Sequence, residues 1–346
     1  MSRSSYRFVV LISVSIALLP YAAAAQQKDS YKLLQTTKAG GAGGFDYVYA
    51  DTKNRRLYIP RMGTPSRVSV FNLDTLALET EFAEIGGHGV AVDQSYGHAF
   101  SSSKPVAMWD AKTLAPIKMI DVQGRPDGLL DDAFNNRIYI LSHEAPNVTV
   151  IDAKDGTVLG TLDLGGAPEQ AVSDGKGHIY VDLEDKASIA VIDAKAMKVT
   201  GHYDLAGKGD ECTGLAIDVK NNVLFASCRN PQNMVILSAA DGRILTTLPI
   251  GGGTDGAVFN PATMEAFSSQ GDGTLTVVKG NSSTSFEVKQ TLKTAPRAKT
   301  LTLDTKTNKL FLITADFTPA PPPAPGQKAG RGTMVPDSFA ILTVGK

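Results

Sequence analysis

Apolar and polar positions alternate along most of this chain in short runs separated by polar turns, and the segment 148–183 shows the pattern most fully. Residues 148–152 (VTVID) place Val148, Val150 and Asp152 on one side and Thr149 and Ile151 on the other, the period of an extended strand. Lys154-Asp155-Gly156 then supplies a turn signal. Alternation resumes over 157–164 and is broken by Gly165-Gly166-Ala167-Pro168. A short apolar run at 169–173, a turn at Asp174-Gly175-Lys176-Gly177 and a further strand at 178–183 complete the segment. The unit predicted is a four-stranded antiparallel meander.

The unit recurs. The strand ending at Asp152 has counterparts ending near Asn72, Asp110, Asp193, Ser238 and Lys279. The junction that opens each unit recurs as Phe45-Asp46-Tyr47, Gly87-His88-Gly89, Pro126-Asp127-Gly128, Pro168-Glu169-Gln170, Cys212-Thr213-Gly214, Thr254-Asp255-Gly256 and Ala298-Lys299-Thr300. Successive junctions lie about 40 residues apart, the period of a four-stranded propeller blade. A lone meander of that length buries too little apolar surface to stand alone, so the units must stack, and a radial arrangement leaves only short, protected edges. The expected fold is all-β, a seven-bladed β-propeller of four-stranded antiparallel blades. The last unit supplies only three strands, at 300–304, 309–314 and 338–344, whereas 30–44 resembles 243–254 and reads as the outer strand of a blade with its exit loop. The N-terminal strand is therefore expected to join the last blade and close the ring, since an unpaired edge is costly.

RLYIPR (56–61), RIYILS (137–142), HIYVDL (178–183), VLFASC (223–228) and KLFLIT (309–314) resemble the Tyr-Val-Thr-Asn strand of the YVTN-repeat, or YncE-like, propellers. The V-x-V-I-D and G-G-x-P elements before them are similar as well. The resemblance covers the chain from about Tyr31 to its C-terminus and implies an exported seven-bladed propeller; it implies no particular activity. A complete Pro-x-Gly junction stands only at 126–128, and no repeat spells the name motif in full.

Residues 1–25 combine Arg3 and Arg7, an apolar stretch at 8–19 and Ala22-Ala23-Ala24-Ala25 before Gln26. This reads as a signal peptide, too short for a comfortable membrane span, an uncleaved anchor being the other reading. Residues 26–346 are then expected to form a single exported domain, periplasmic or secreted, monomeric and without a membrane span. The 34 Lys and Arg against 35 Asp and Glu are scattered, which excludes the basic footprint of a nucleic-acid or anionic-membrane binder. The partner expected is a protein or a small-molecule ligand. Residues 318–336 form a Pro/Gly-rich insertion in the last blade, read as a loop that is either disordered decoration or a lid or partner-binding arm. Cys212 and Cys228 flank a hairpin whose facing positions sum to 441 (218 with 223), and their own sum is 440. They are thus expected to stand nearly opposite each other and to form a disulfide that contributes on the order of 3 kcal/mol.

Loops joining consecutive blades open on one face of a propeller, so the junctions place Asp46, His88, Asp127, Glu169, Glu211 beside Thr213, Asp255, and Lys299 with Arg297 around one mouth of the channel. Loops between second and third strands open on the same face and add Arg61, His143, Glu184 and Arg229, with Glu144, Asp185, Asp272 and Asp316. His98 and His178 fall on the opposite, hairpin face. Three readings of the ring follow. The acids simply close each blade through backbone amides; or Asp46, Asp127, Glu169 and Asp255 hold a hard divalent cation, calcium or magnesium; or His88 or His143 acts as general base while Arg61, Arg229 or Arg297 orients an anionic substrate. No C-x-x-C-H haem motif is present. Trp109 is the only tryptophan, so a tryptophan-derived quinone is excluded, and the Gly-rich runs precede strands rather than helices, so no nucleotide is expected. The function expected is a ligand- or protein-binding module acting through the channel face, Asp46, His88, Asp127, Glu169, Glu184, Glu211 and Asp255 making the contacts; the alternative is a metal-assisted lyase or hydrolase at the channel mouth.

Overall fold

The computed structural model describes Met1, residues 29–320 and residues 332–346. The expected signal peptide, beyond Met1, and the central part of the proline-rich insertion lie outside the described residues. Seven antiparallel sheets follow one another in sequence order. Blade 1 contains Gly44–Phe45, Tyr49–Asp51, Arg56–Met62, Arg67–Asn72 and Leu78–Ala83, its innermost strand being split in two. Blade 2 is Val90–Asp93, His98–Ser101, Val106–Asp110 and Pro116–Ile120; blade 3 is Pro126–Asp132, Arg137–Ser142, Val148–Asp152 and Val158–Leu162. Blade 4 is Pro168–Ser173, His178–Leu183, Ser188–Asp193 and Lys198–Asp204; blade 5 is Asp210–Asp218, Val223–Asn230, Asn233–Ser238 and Ile244–Pro249. Blade 6 is Thr254–Asn260, Glu265–Gln270, Thr274–Gly280 and Phe286–Lys293. Blade 7 takes Leu301–Asp304, Lys309–Thr314 and Ala340–Gly345 from the end of the chain and Lys32–Lys38 from its beginning.

Burial explains which strands the alternation marks. The middle strands are covered on both faces by neighbouring blades and so are buried along their length, as in Asn233–Ser238, where only the two ends reach solvent. The outermost strands are covered on one face only, and Phe286–Lys293 alternates half-buried and exposed along its length. The core is accordingly seven clusters, one between each pair of adjacent blades. Tyr58, Val70, Val92 and Trp109 fill the space between blades 1 and 2, and Leu57, Ile59, Phe311, Ile313 and Ile341 fill that between blades 7 and 1.

The closing strand pairs antiparallel with the last, Lys32 opposite Gly345 and Lys38 opposite Ala340. Tyr31, expected within it, precedes it as a plug: it is buried between blades 6 and 7, its ring edge-on to Phe267 at 5.1 Å and its hydroxyl donating to Glu265 Oε2 at 2.6 Å. The Gln290 carboxamide accepts from the Tyr31 N–H and donates to its C=O, both at 2.9 Å.

Every inner strand ends in the same device. Asp51, Asp93, Asp132, Asp174, Asp218, Asn260 and Asp304 are all buried, and each side-chain oxygen accepts a backbone N–H of the turn that follows. These Asx turns satisfy the amides that reversing the chain would leave unpaired. His98 and His178 lie on this hairpin face, His98 Nδ1 at 2.8 Å from the Ala153 carbonyl and His178 Nδ1 at 2.9 Å from Asp174.

Cys212 stands directly opposite Cys228 and the two form a disulfide. A bulge at Thr213, between the Cys212 and Gly214 pairings, accounts for the one-residue difference between the two index sums.

Candidate functional site at the channel mouth

The junctions project side chains because the inner strands are irregular there. Register shifts interrupt the ladder between Pro126 and Leu129, Pro168 and Ala171, Cys212 and Gly214, and Thr254 and Gly256. Blade 1 breaks at the same place, between Phe45 and Tyr49. A bulge leaves a residue outside the ladder and re-aims its side chain; the residues so freed are Asp46, Asp127, Glu169, Thr213 and Asp255. Hydroxyls fix the backbone around them: Ser102 Oγ accepts the His88 N–H at 3.0 Å, and Thr300 Oγ1 donates to the Asp46 carbonyl at 2.6 Å.

The freed side chains meet across blade boundaries in a closed circuit. His88 Nδ1 lies 2.9 Å from Asp46 Oδ2 and 3.4 Å from Asp127 Oδ1. The other oxygen of Asp127 is 3.4 Å from His143 Nε2, which is 3.3 Å from Glu169 Oε1. Glu169 neighbours Glu184, whose carboxylate is 3.7 Å from Arg229 Nη1. Arg229 also pairs with Asp255, Asp255 with Lys299, and Lys299 reaches Asp46 Oδ1 at 3.5 Å. Charge alternates everywhere except at Glu169 and Glu184, where two carboxylates adjoin.

Five carboxylates thus face two permanent cations, and the histidines are drawn toward their charged forms. Burial lowers the pKa of His88, but Asp46 and Asp127 outweigh it and the net shift is upward. Glu169, with Asp127, outweighs burial at His143 and lifts it to about 9. Neither oxygen beside the buried His143 Nε2 is aligned for a hydrogen bond, so the attraction there is that of an ion pair. Burial raises the Asp127 carboxyl, with Asp46 and Glu169 adding to it against the pull of the histidines; burial and then Glu169 raise that of Glu184. Burial opposes ionisation of Asp46 as well, but His88 and Lys299 prevail and hold it below the usual carboxylate range.

Of the expected site residues, Asp46, His88, Asp127, His143, Glu169, Glu184, Arg229 and Asp255 come together. Arg61 does not: it is buried, stacked 3.8 Å from the Phe339 ring centroid, and donates to the carbonyls of Gly40, Gly41, Ala42 and Gly43. It clamps the loop after the closing strand, and burial pushes its pKa down to about 10. Glu211 is exposed, with a φ of +48°, turned out of the ring next to the Thr213 bulge. Arg297 stacks 3.9 Å from the centroid of Phe317, at the base of the insertion. Asp185 and Asp272 accept the N–H groups of Ala167 and Gly252 and serve as loop caps.

Two residues at the junctions cross the channel, and the sequence reading assigned them no role. The Tyr47 hydroxyl of blade 1 reaches Glu169 Oε2 in blade 4 at 3.1 Å. The Gln170 carboxamide of blade 4 accepts from the Leu215 and Ala257 N–H groups at 3.0 and 3.1 Å and donates to the Ala257 carbonyl at 3.0 Å, tying three inner strands together. Four other junctions carry glycine at the corresponding position, and a Cβ on Gly214 would stand 2.8 Å from the Gly256 carbonyl carbon. Tyr47 and Gln170, with Thr300, depart from that glycine pattern, and the two long side chains among them are the readable signal. Below them a cavity of 230 Å³ lies in the channel, lined in part by Tyr47, Gln170 and Leu301.

Two triads at the mouth, Asp46 with His88 and Asp127, and His143 with Glu169 and Glu184, each bring three donor atoms within 4.8 Å of one another. Asp255, expected among the cation ligands, belongs to neither and is paired with Arg229 and Lys299. On that other side of the mouth a pocket of 480 Å³ is lined by Arg229, Arg297 and Lys299 together with Phe45, Met62 and Phe317.

Among solved structures, the fold resembles one described as the structure of U3-55K, with a TM-score of 0.67 at 9% identity over 88% of this chain and 97% of that one. It is also similar to the RRP9 WD40 repeats (TM-score 0.68, 10% identity, 89% and 97% covered) and to a chain of the Mitotic Checkpoint Complex (0.69, 12%, 89% and 95%). The chain is thus a seven-bladed β-propeller structurally similar to WD40 propellers, and identities this low carry the fold alone. No protein-family model and no curated protein matches it.

Proposed function

We propose that this propeller is a binding module that takes a small anionic ligand with an apolar body at the mouth of its channel. The observation that carries this reading is the 480 Å³ pocket in which Arg229, Arg297 and Lys299 stand among Phe45, Met62 and Phe317. A volume of that size suits a small molecule, and apolar walls with a few convergent charges are the usual build of such a site. Arg229 and Lys299 pair with Asp255 and, at longer range, with Glu184 and Asp46, whereas Arg297 has no carboxylate ion-pair partner among the described residues. The Arg297 guanidinium is held over the Phe317 ring, its planar fork suited to a carboxylate or phosphate.

The N-terminal pattern at 1–25 and the Cys212–Cys228 disulfide support export of the mature chain, and the degenerate Tyr-Val-Thr-Asn strands support kinship with the YncE-like propellers. The binding test uses thermal unfolding of the mature protein with benzoate, with inorganic phosphate and with a neutral benzamide control. Benzoate is expected to raise the unfolding midpoint most, and Arg297→Ala to remove the rise. An equal response to benzoate and benzamide, or none to either anion, overturns the reading.

A further inference from the structure

We propose that the opposite half of the same mouth is a divalent transition-metal site in which Asp127 bridges two ions, one held with Asp46 and His88 and the other with His143 and Glu169. The inference is independent of the anion pocket, because it rests on blades 1 to 4 and none of its ligands lines that pocket.

The histidine-to-carboxylate distances match those between neighbouring donors of a coordination shell. An ion about 2.0–2.1 Å from each nitrogen and oxygen donor requires neighbouring donors about 2.9–3.4 Å apart, the shorter value for octahedral and the longer for tetrahedral angles. The four contacts in question are 2.9 Å (His88 Nδ1 to Asp46), 3.4 Å (His88 Nδ1 to Asp127), 3.4 Å (His143 Nε2 to Asp127) and 3.3 Å (His143 Nε2 to Glu169). Asp127 directs Oδ1 to one histidine and Oδ2 to the other, the arrangement of a carboxylate that spans two ions. His143 Nε2 is buried between Asp127 and Glu169 without an aligned hydrogen bond to either, so an ion placed there would displace its proton and not a hydrogen bond.

The surroundings fit as well. The Tyr47 hydroxyl holds Glu169 by Oε2 and leaves Oε1 facing His143, the kind of outer contact that orients a metal-bound carboxylate. Glu184, a member of the second triad, stands within reach of the same ion and adds a negative charge for a dication to offset. Mixed imidazole and carboxylate donors favour zinc, iron or nickel over calcium and magnesium, which take oxygen ligands. The two histidines thus shift the cation class away from the one an all-carboxylate ring implies.

The test is titration of the chelator-stripped mature protein with Zn²⁺ by calorimetry, with metal counted by elemental analysis after dialysis. Two equivalents are expected, with Ca²⁺ binding at least about tenfold more weakly. His88→Ala and His143→Ala should each remove one equivalent, and Asp127→Asn should weaken both by about tenfold or more, the scale already seen when only a ligand's supporting contacts are lost. His98→Ala and His178→Ala, on the opposite face, should change nothing, and circular dichroism of every variant verifies the fold. Co²⁺ loading of the wild type should give a visible ligand-field band that His88→Ala alters. Fewer than two equivalents in the folded wild type, or zinc binding unchanged by the two histidine variants, overturns the proposal. Retention of benzoate binding in Asp127→Asn separates this outcome from failure of the anion pocket.

Discussion

The two faces of this ring use the same residue types in opposite ways. On the hairpin face, seven buried Asx side chains occupy equivalent positions, and each bonds the turn of its own blade. On the junction face, the seven equivalent positions hold Asp46, His88, Asp127, Glu169, Thr213, Asp255 and Lys299, and their side chains bond other blades. A device repeated in every blade, six times as Asp and once as Asn, and always bonded to its own turn maintains the fold. A set of unlike residues, each paired with at least one other blade, gives the mouth its uneven charge, and a ligand can compete for those contacts without undoing any single blade.

Both faces depend on closure, so the largest effect comes from opening the ring. Removing residues 26–38 is expected to abolish the cooperative unfolding transition or cause aggregation, because blade 7 loses its outer strand and the Tyr31 plug; removing 319–332 should leave the midpoint nearly unchanged. A similar small effect of both deletions in a denaturant melt would mean that the closing strand is dispensable. Next in size is the hairpin face. Asp218→Ala removes the acceptor of the Lys220 and Asn221 amides and should cost about 1–3 kcal/mol in urea unfolding. A cost as low as that of a junction substitution would erase the contrast between the faces.

Asp131 is the exception on the hairpin face and sharpens the contrast through pH. Burial, with Asp93 and then Asp132, raises its carboxyl to about 7, and its Oδ1 is buried without a partner. The folded state therefore holds a proton that the unfolded chain releases near pH 4, so this group's contribution to stability falls as pH rises from about 4 to 7 and is level above that. Asp131→Asn should remove the decline, its advantage growing across that window to at most about 4 kcal/mol. An advantage independent of pH would show that the carboxyl is already ionised at pH 4. The smallest effect is expected at the junction: Asp127→Asn should change stability by less than about 1 kcal/mol at pH 7, toward gain, since burial and Asp46 and Glu169 already disfavour the charge it removes. A loss above about 2 kcal/mol, the scale of a broken buried network, would make Asp127 structural.

The blades and the closing strand were legible because one-sided burial writes alternation into the outer strands and the turns recur at a fixed spacing. The junction residues were legible for a related reason: each bulge sits at the same distance from the turn after it, so alignment on the turns brings Asp46, Asp127, Glu169 and Asp255 into register. The hydroxyl of Tyr47 meeting Glu169, 122 residues away, depends on the width of the channel, which no local pattern encodes. Arg61 was misplaced for the same kind of reason. Its residue type suits an anion site, but Phe339 and the loop at 40–43, distant in sequence, fold over it. The junction alignment places Glu211 at the channel mouth, whereas the local backbone turns it to solvent.

The antiparallel seam in blade 7 also fixes how the molecule responds to tension. Lys32 pairs with Gly345, so the two chain ends leave the seam side by side at the same end. A pull between the termini loads the cross-strand hydrogen bonds one at a time, as in a zipper, and not all together as in shear. The first tooth is guarded by Tyr31 wedged against Phe267 and by Asp29, which binds both Lys346 and Lys289. Mechanical resistance of the whole ring is therefore concentrated in a few side chains at the entrance of one seam.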